Sequence, residues 1–123
     1  MMRIAYAVAS WALCTLGLLH MAATPGRFPA VSLAALWFFN TGVLIVLVAA
    51  LNLLNRAYGA ATPGLKRVCI AVNVVNLGLA VVGGVVGRAR PVEWLVVLTI
   101  VVPLTVLSAL PGAFASHRQT GAA

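Results

Sequence analysis

Few side chains in this sequence could carry chemistry, and their spacing limits that chemistry further. His20 is the one titratable group inside an apolar stretch, where it could ligate a haem or a metal or respond to pH. A haem held by two histidines needs a second one at matching depth, and the only other histidine, His117, falls near the C-terminus on the expected opposite side. The sole carboxylate side chain is Glu93, so paired-carboxylate catalysis and a Ser/His/Asp arrangement lack their acid. Cys14 and Cys69 are the only thiols; by helix rise they differ in depth by roughly 15 Å, too far for a disulfide and too few for a metal site. They are read as small apolar residues. No phosphate-cradling glycine loop occurs, and no enzymatic activity, metal or cofactor is expected.

The elements that must position these residues follow from where charge is excluded. All nine charged residues flank four uncharged stretches, 4–26, 28–55, 68–87 and 94–117, of 23, 28, 20 and 24 residues. A hydrocarbon core of about 30 Å takes about 20 apolar residues as a helix, so each stretch is long enough to cross a bilayer. Composition agrees: 63% of residues are hydrophobic and 7% charged, where a water-soluble domain carries about 25% charged residues. The expectation is an all-α integral membrane bundle of four transmembrane helices, at about 4–22, 31–54, 68–86 and 92–110. Residues 1–112 form the transmembrane domain and 113–123 a short polar, mobile tail.

The first stretch exceeds the 7–15 residues of a signal-peptide core and lacks a small-residue cleavage pattern at Met21 and His20, so it reads as a retained helix. Thr24-Pro25-Gly26, Tyr58-Gly59 and Thr62-Pro63-Gly64 supply turn chemistry between spans. Arg3, Arg56, Lys66, Arg67 and Arg118 fall on one side and Arg27, Arg88 and Arg90 on the other; five cations against three place both termini in the cytoplasm. The net charge of +7 is scattered over span ends, not gathered into a basic surface, which argues against nucleic acid and for headgroup anchoring.

Polarity within the spans is carried by amides, hydroxyls and glycines. On the third span Cys69, Asn73, Asn76, Ala80, Gly83, Gly84 and Gly87 share one face of about 100°. Gly83 and Gly87 make a GxxxG pair suited to close helix approach. Trp37, Asn40, Thr41, Asn52 and Asn55 lie within about 120° on the second span, and Tyr6, Ser10, Cys14, Gly17 and His20 over a similar width on the first. An unpaired amide in hydrocarbon costs several kcal/mol, so these faces should meet, and an interior lined by Asn40, Asn73 and Asn76, with Ser10 and Thr41 beside it, is expected. Pro103, mid-way along the fourth span, should kink it and could serve as a hinge.

In size and crossing number the chain resembles the small multidrug resistance exporters. Those proteins carry an essential glutamate in the first helix, whereas the corresponding stretch here reads Ala7-Val8-Ala9-Ser10-Trp11-Ala12-Leu13-Cys14. With no Asp, Glu, Lys or Arg inside any span, ion-coupled transport loses its usual groups. The expected function is therefore non-enzymatic helix–helix association, as an accessory or assembly subunit of a membrane complex or as a homo-oligomer. The alternative is a small transporter or channel for a neutral or hydrophobic solute, as a homodimer. The richness in Ala, Val, Leu, Gly and Arg points to a bacterial cytoplasmic (inner) membrane, with the lipid bilayer and another membrane protein or a second copy as partners.

Overall fold

A computed structural model describes residues 1–114, and it is all-helical among them. Helix α1 spans Met2–Arg27, α2 Leu33–Tyr58, α3 Pro63–Val86 and α4 Pro91–Ala109, each long and apolar enough to cross a membrane. The end carrying Met1, the α2–α3 connection and Pro111 is called proximal below, and the opposite end distal.

The helix limits differ from the expected spans in ways the local chemistry explains. Thr24-Pro25-Gly26 is not a turn: α1 runs through Pro25 to Arg27, because a proline in the last turn forfeits one bond while Phe28 still donates to the Thr24 carbonyl at 2.9 Å. Helix α2 starts where Ser32 accepts from the Ala35 amide at 3.2 Å, an N-cap for an otherwise orphan donor. Pro63 opens α3, since the first helical position needs no N–H. The α3–α4 hairpin is closed by Arg88 and Ala89 donating to the carbonyls of Val85 and Gly84, with Arg88 in the left-handed region at φ 51°. Glu93 then accepts from the Arg90 amide at 3.0 Å at the start of α4.

Pro103 leaves α4 helical. The helix widens into a π turn over Val97–Val101, in which the Val102 amide reaches back to Val97, before resuming α geometry to Ala109. The extra residue in the turn absorbs the donor that proline lacks. Thr99 and Thr105 donate to the carbonyls four residues earlier, Leu95 and Val101, at 2.7 and 2.8 Å.

Helices α1 and α2 form the tightest pair. Their buried residues, Tyr6, Ser10, Leu13 and Gly17 on one and Ala35, Gly42, Ala49 and Asn52 on the other, follow the three-and-four spacing that keeps a seam facing its neighbour. The closest approach is at two glycines. A Cβ on Gly17 would lie 2.8 Å from the Gly42 carbonyl oxygen, and one on Gly42 would lie 2.8 Å from that of Gly17 and 2.6 Å from Met21 Cγ. Distally the pair is finished by His20, stacked on Phe38 at 3.8 Å, with the Arg27 guanidinium 5.3 Å above the same ring.

The GxxxG pair on α3 is not part of this packing. A Cβ on Gly83 would meet nothing within 4 Å, and only Gly84 is covered, by the Trp94 ring at 2.9 Å. The polar tail also begins later than expected. Ala113 and Phe114 are buried against the proximal core, where Phe114 meets Tyr6 edge-on at 6.5 Å and Lys66 Nζ lies 5.0 Å from its ring. The remainder of that tail, with His117 and Arg118, lies outside the described residues.

Gly42→Val should destabilise the bundle by about 1–3 kcal/mol, because the added carbons meet backbone that cannot yield. Reversible unfolding in mixed micelles would measure it, and an unchanged midpoint would contradict the close contact. Arg88→Gly should raise stability by up to about 1 kcal/mol in the same assay, since glycine occupies the left-handed conformation without steric cost.

Candidate functional site

Polar groups meet near the proximal end, at least one from each helix. Tyr6 is on α1, Asn52 and Asn55 on α2, Cys69 and Asn73 on α3 and Ser108 on α4, and all six are buried. Asn52 and Asn73 form a reciprocal amide pair: Asn52 Nδ2 donates to Asn73 Oδ1 at 2.9 Å, and Asn73 Nδ2 donates to Asn52 Oδ1 at 2.8 Å. Asn52 spends its second hydrogen on the Val48 carbonyl at 2.8 Å, and its oxygen also accepts from the Tyr6 hydroxyl at 2.9 Å.

Tyr6 in turn accepts from Asn55 Nδ2 at 2.9 Å, whose other hydrogen goes to the Ser108 carbonyl at 3.2 Å. Cys69 belongs to the same cluster: its thiol donates to Asn52 Oδ1 at 3.5 Å and accepts from Asn73 Nδ2 at 3.6 Å. The cysteine expected to be merely small and apolar is thus a weak hydrogen-bonding member of the network. Asn55 Oδ1 is the one buried side-chain polar atom without a partner among the described residues. It abuts Gly59, where any Cβ would overlap that oxygen and come within 3.0 Å of Phe114 Cε1. Glycine at this position is required by contact, not by backbone conformation.

Each expected site residue now has a place. Asn73 is at the centre of the network. Asn40 is not in the interior: it is exposed, twelve residues from Asn52 and so turned by about 120° from the buried side of α2. Asn52 and Asn55 take the role assigned to it. Depth could have found them, since both lie just before Arg56, as Tyr6 lies just after Arg3 and Cys69 just after Arg67. Thr41 is exposed and donates to the Trp37 carbonyl at 2.9 Å, while Ser10 is buried and donates to that of Tyr6 at 2.7 Å. His20 is half-buried and held by its ring stack, and Gly83 and Gly87 are exposed.

Asn76 stands apart from the network. It is half-buried one turn beyond Asn73, and its amide has no hydrogen-bond partner among the described residues. It lines a cavity of about 360 Å³ bounded by all four helices, with Leu13, Ile45, Leu79 and Val97 among the walls. A second depression, an outer groove between α2 and α3, shares Leu44, Asn76 and Leu79 with that cavity.

Chemically the network can hold four helices in one register; its side chains are amides, a phenol, a thiol and a hydroxyl, with no carboxylate, imidazole or cation among them. Among the described residues no group of three or more His, Cys, Asp or Glu side chains could hold a metal ion. Comparison with protein-family models, curated proteins and solved structures finds no match to this chain.

Asn52→Leu should cost about 2–3 kcal/mol, because Asn73 Oδ1 loses its donor and the Tyr6 hydroxyl its acceptor in a buried setting. Asn40→Leu should change stability by less than about 0.5 kcal/mol, as expected of an exposed site. Thermal unfolding of both variants in detergent would check this, and equal costs would contradict the interior position of Asn52.

Proposed function

We propose that the chain is a non-enzymatic integral membrane protein that works by helix–helix association, as an accessory or assembly subunit or as a homo-oligomer. The five-to-three cation bias supports cytoplasmic termini, and the composition supports a bacterial inner membrane.

The observation that carries this reading is the uncovered distal face of α3. Of the residues in its most apolar stretch 11% are buried, against 22% in α1 and in α2. Gly83 and Gly87 lie there four residues apart and exposed, the spacing that lets a second helix approach closely enough for backbone contact. In hydrocarbon such a face gains nothing from hydrophobic burial, so van der Waals packing with a partner helix is what would cover it.

A second reading, a small carrier for a neutral solute, draws on the cavity beside Asn76. One turn proximal of Asn76 along α3, Asn73 pairs with Asn52 across to α2. Side chains filling that level leave less room for a continuous route, and association is preferred.

Gly83→Leu should abolish assembly while leaving the fold intact, because its Cβ points into open space within the monomer. The full chain, solubilised from its native membrane in mild detergent, should migrate as a complex with itself or with a partner. The leucine variant should migrate alone, with a stability change under about 0.5 kcal/mol. Assembly unaffected by Gly83→Leu would overturn the proposal.

A further inference from the structure

We propose that the open pocket between the four helices binds a neutral molecule dissolved in the bilayer, one with an apolar chain and a single hydroxyl or carbonyl group recognised by Asn76. This site is distinct from the α3 association face and does not rest on it.

Three features of the cavity define its occupant. The walls are aliphatic, with Leu13, Ile45, Leu79 and Val97 contributing, so an apolar body is accommodated. Asn76 brings two donors and an acceptor, none of them used among the described residues, into a region where an unsatisfied amide costs several kcal/mol. Thr41, also on the lining, has committed its hydrogen to the Trp37 carbonyl and keeps lone pairs free. A ligand hydroxyl could donate to one of these groups and accept from Asn76.

Charge and size narrow the class. No Lys, Arg, Asp or Glu lines the cavity, so an ionised carboxylate or ammonium would be buried without a partner. About 360 Å³ at roughly 30 Å³ per water-sized group holds on the order of a dozen non-hydrogen atoms, the scale of a medium-chain alcohol.

Access is lateral. The outer groove between α2 and α3 meets the pocket at Leu44, Asn76 and Leu79, and since Leu44 and Leu79 are exposed, a molecule arriving from the lipid reaches Asn76 past them. Asn73, whose amide is already paired with Asn52, lies one turn from Asn76 along α3, which leaves Asn76 as the amide available to the site. Opposite Asn76 stands the π turn of α4, which supplies Val97 and Val101 to the wall. Such turns recur at functional sites.

The test uses the full chain in phosphatidylcholine nanodiscs and a ten-carbon alcohol carrying a diazirine, with labelled peptides mapped by mass spectrometry. Labelling should concentrate on Leu13, Ile45 and Val97, pocket residues that are not exposed, and be displaced by 1-decanol but not by decanoate at pH 9. Asn76→Leu should reduce labelling by the alcohol about fivefold, the effect of one lost neutral hydrogen bond, while a matching alkane diazirine labels both proteins alike. Ile45→Phe, which fills the cavity without touching a polar group, should abolish labelling by both probes. Label spread over the outward-facing Leu47, Val74 and Val85, displacement by decanoate as effective as by decanol, or alcohol labelling undiminished in Asn76→Leu would each overturn the proposal.

Discussion

A buried amide in a setting without water must find a partner, and the proximal half of this bundle is organised around that requirement. The Asn52–Asn73 pair uses every donor and acceptor that two facing carboxamides offer each other, and Asn52 then recruits Tyr6, Cys69 and the Val48 carbonyl. Each bond between neutral groups in a membrane contributes only about 0.6–2 kcal/mol. The penalty for leaving one unmade is larger, and that asymmetry makes the network a device for register more than for raw stability. Sliding α3 by one residue along α2 would leave several buried groups unpaired together.

The rest of the bundle is held by different physics at different depths. Around the network, Leu104, Phe114 and Ala113 close over Tyr6 and seal the proximal end. Further along α1 and α2, Gly17 and Gly42 bring two backbones together, and dispersion between closely packed atoms replaces hydrogen bonding. Distally, the His20–Phe38 stack and Arg27 finish that hairpin. Helices α3 and α4 have no comparable tie to it there, so a cavity opens between the hairpins and the outer side of α3 stays uncovered.

The two proposed activities follow from this gradient. In the proximal half the buried polar side-chain groups are satisfied within the chain, Asn55 Oδ1 excepted. In the distal half the Asn76 amide is unspent and the Gly83 surface is open, and these are the places where the proposed ligand and partner helix would bind. A ligand in the cavity and a helix on α3 would act on adjacent parts of one element, with Ala80 on the cavity wall and Gly83 one turn beyond.

Four apolar helices were legible from charge exclusion alone, because a carboxylate or guanidinium in hydrocarbon is too costly to place by accident. Asn73 was legible too, lying on a polar face only about 100° wide. The choice between Asn40 and Asn52 was not, because a polar face about 120° wide has two edges and only the neighbouring helix decides which is buried. The same holds for glycine pairs: Gly83 and Gly87 announce themselves by spacing within one helix, whereas Gly17 and Gly42 lie on different helices and become a pair only once α1 and α2 meet. Periodicity fixes which residues share a face; packing alone fixes which face has a partner.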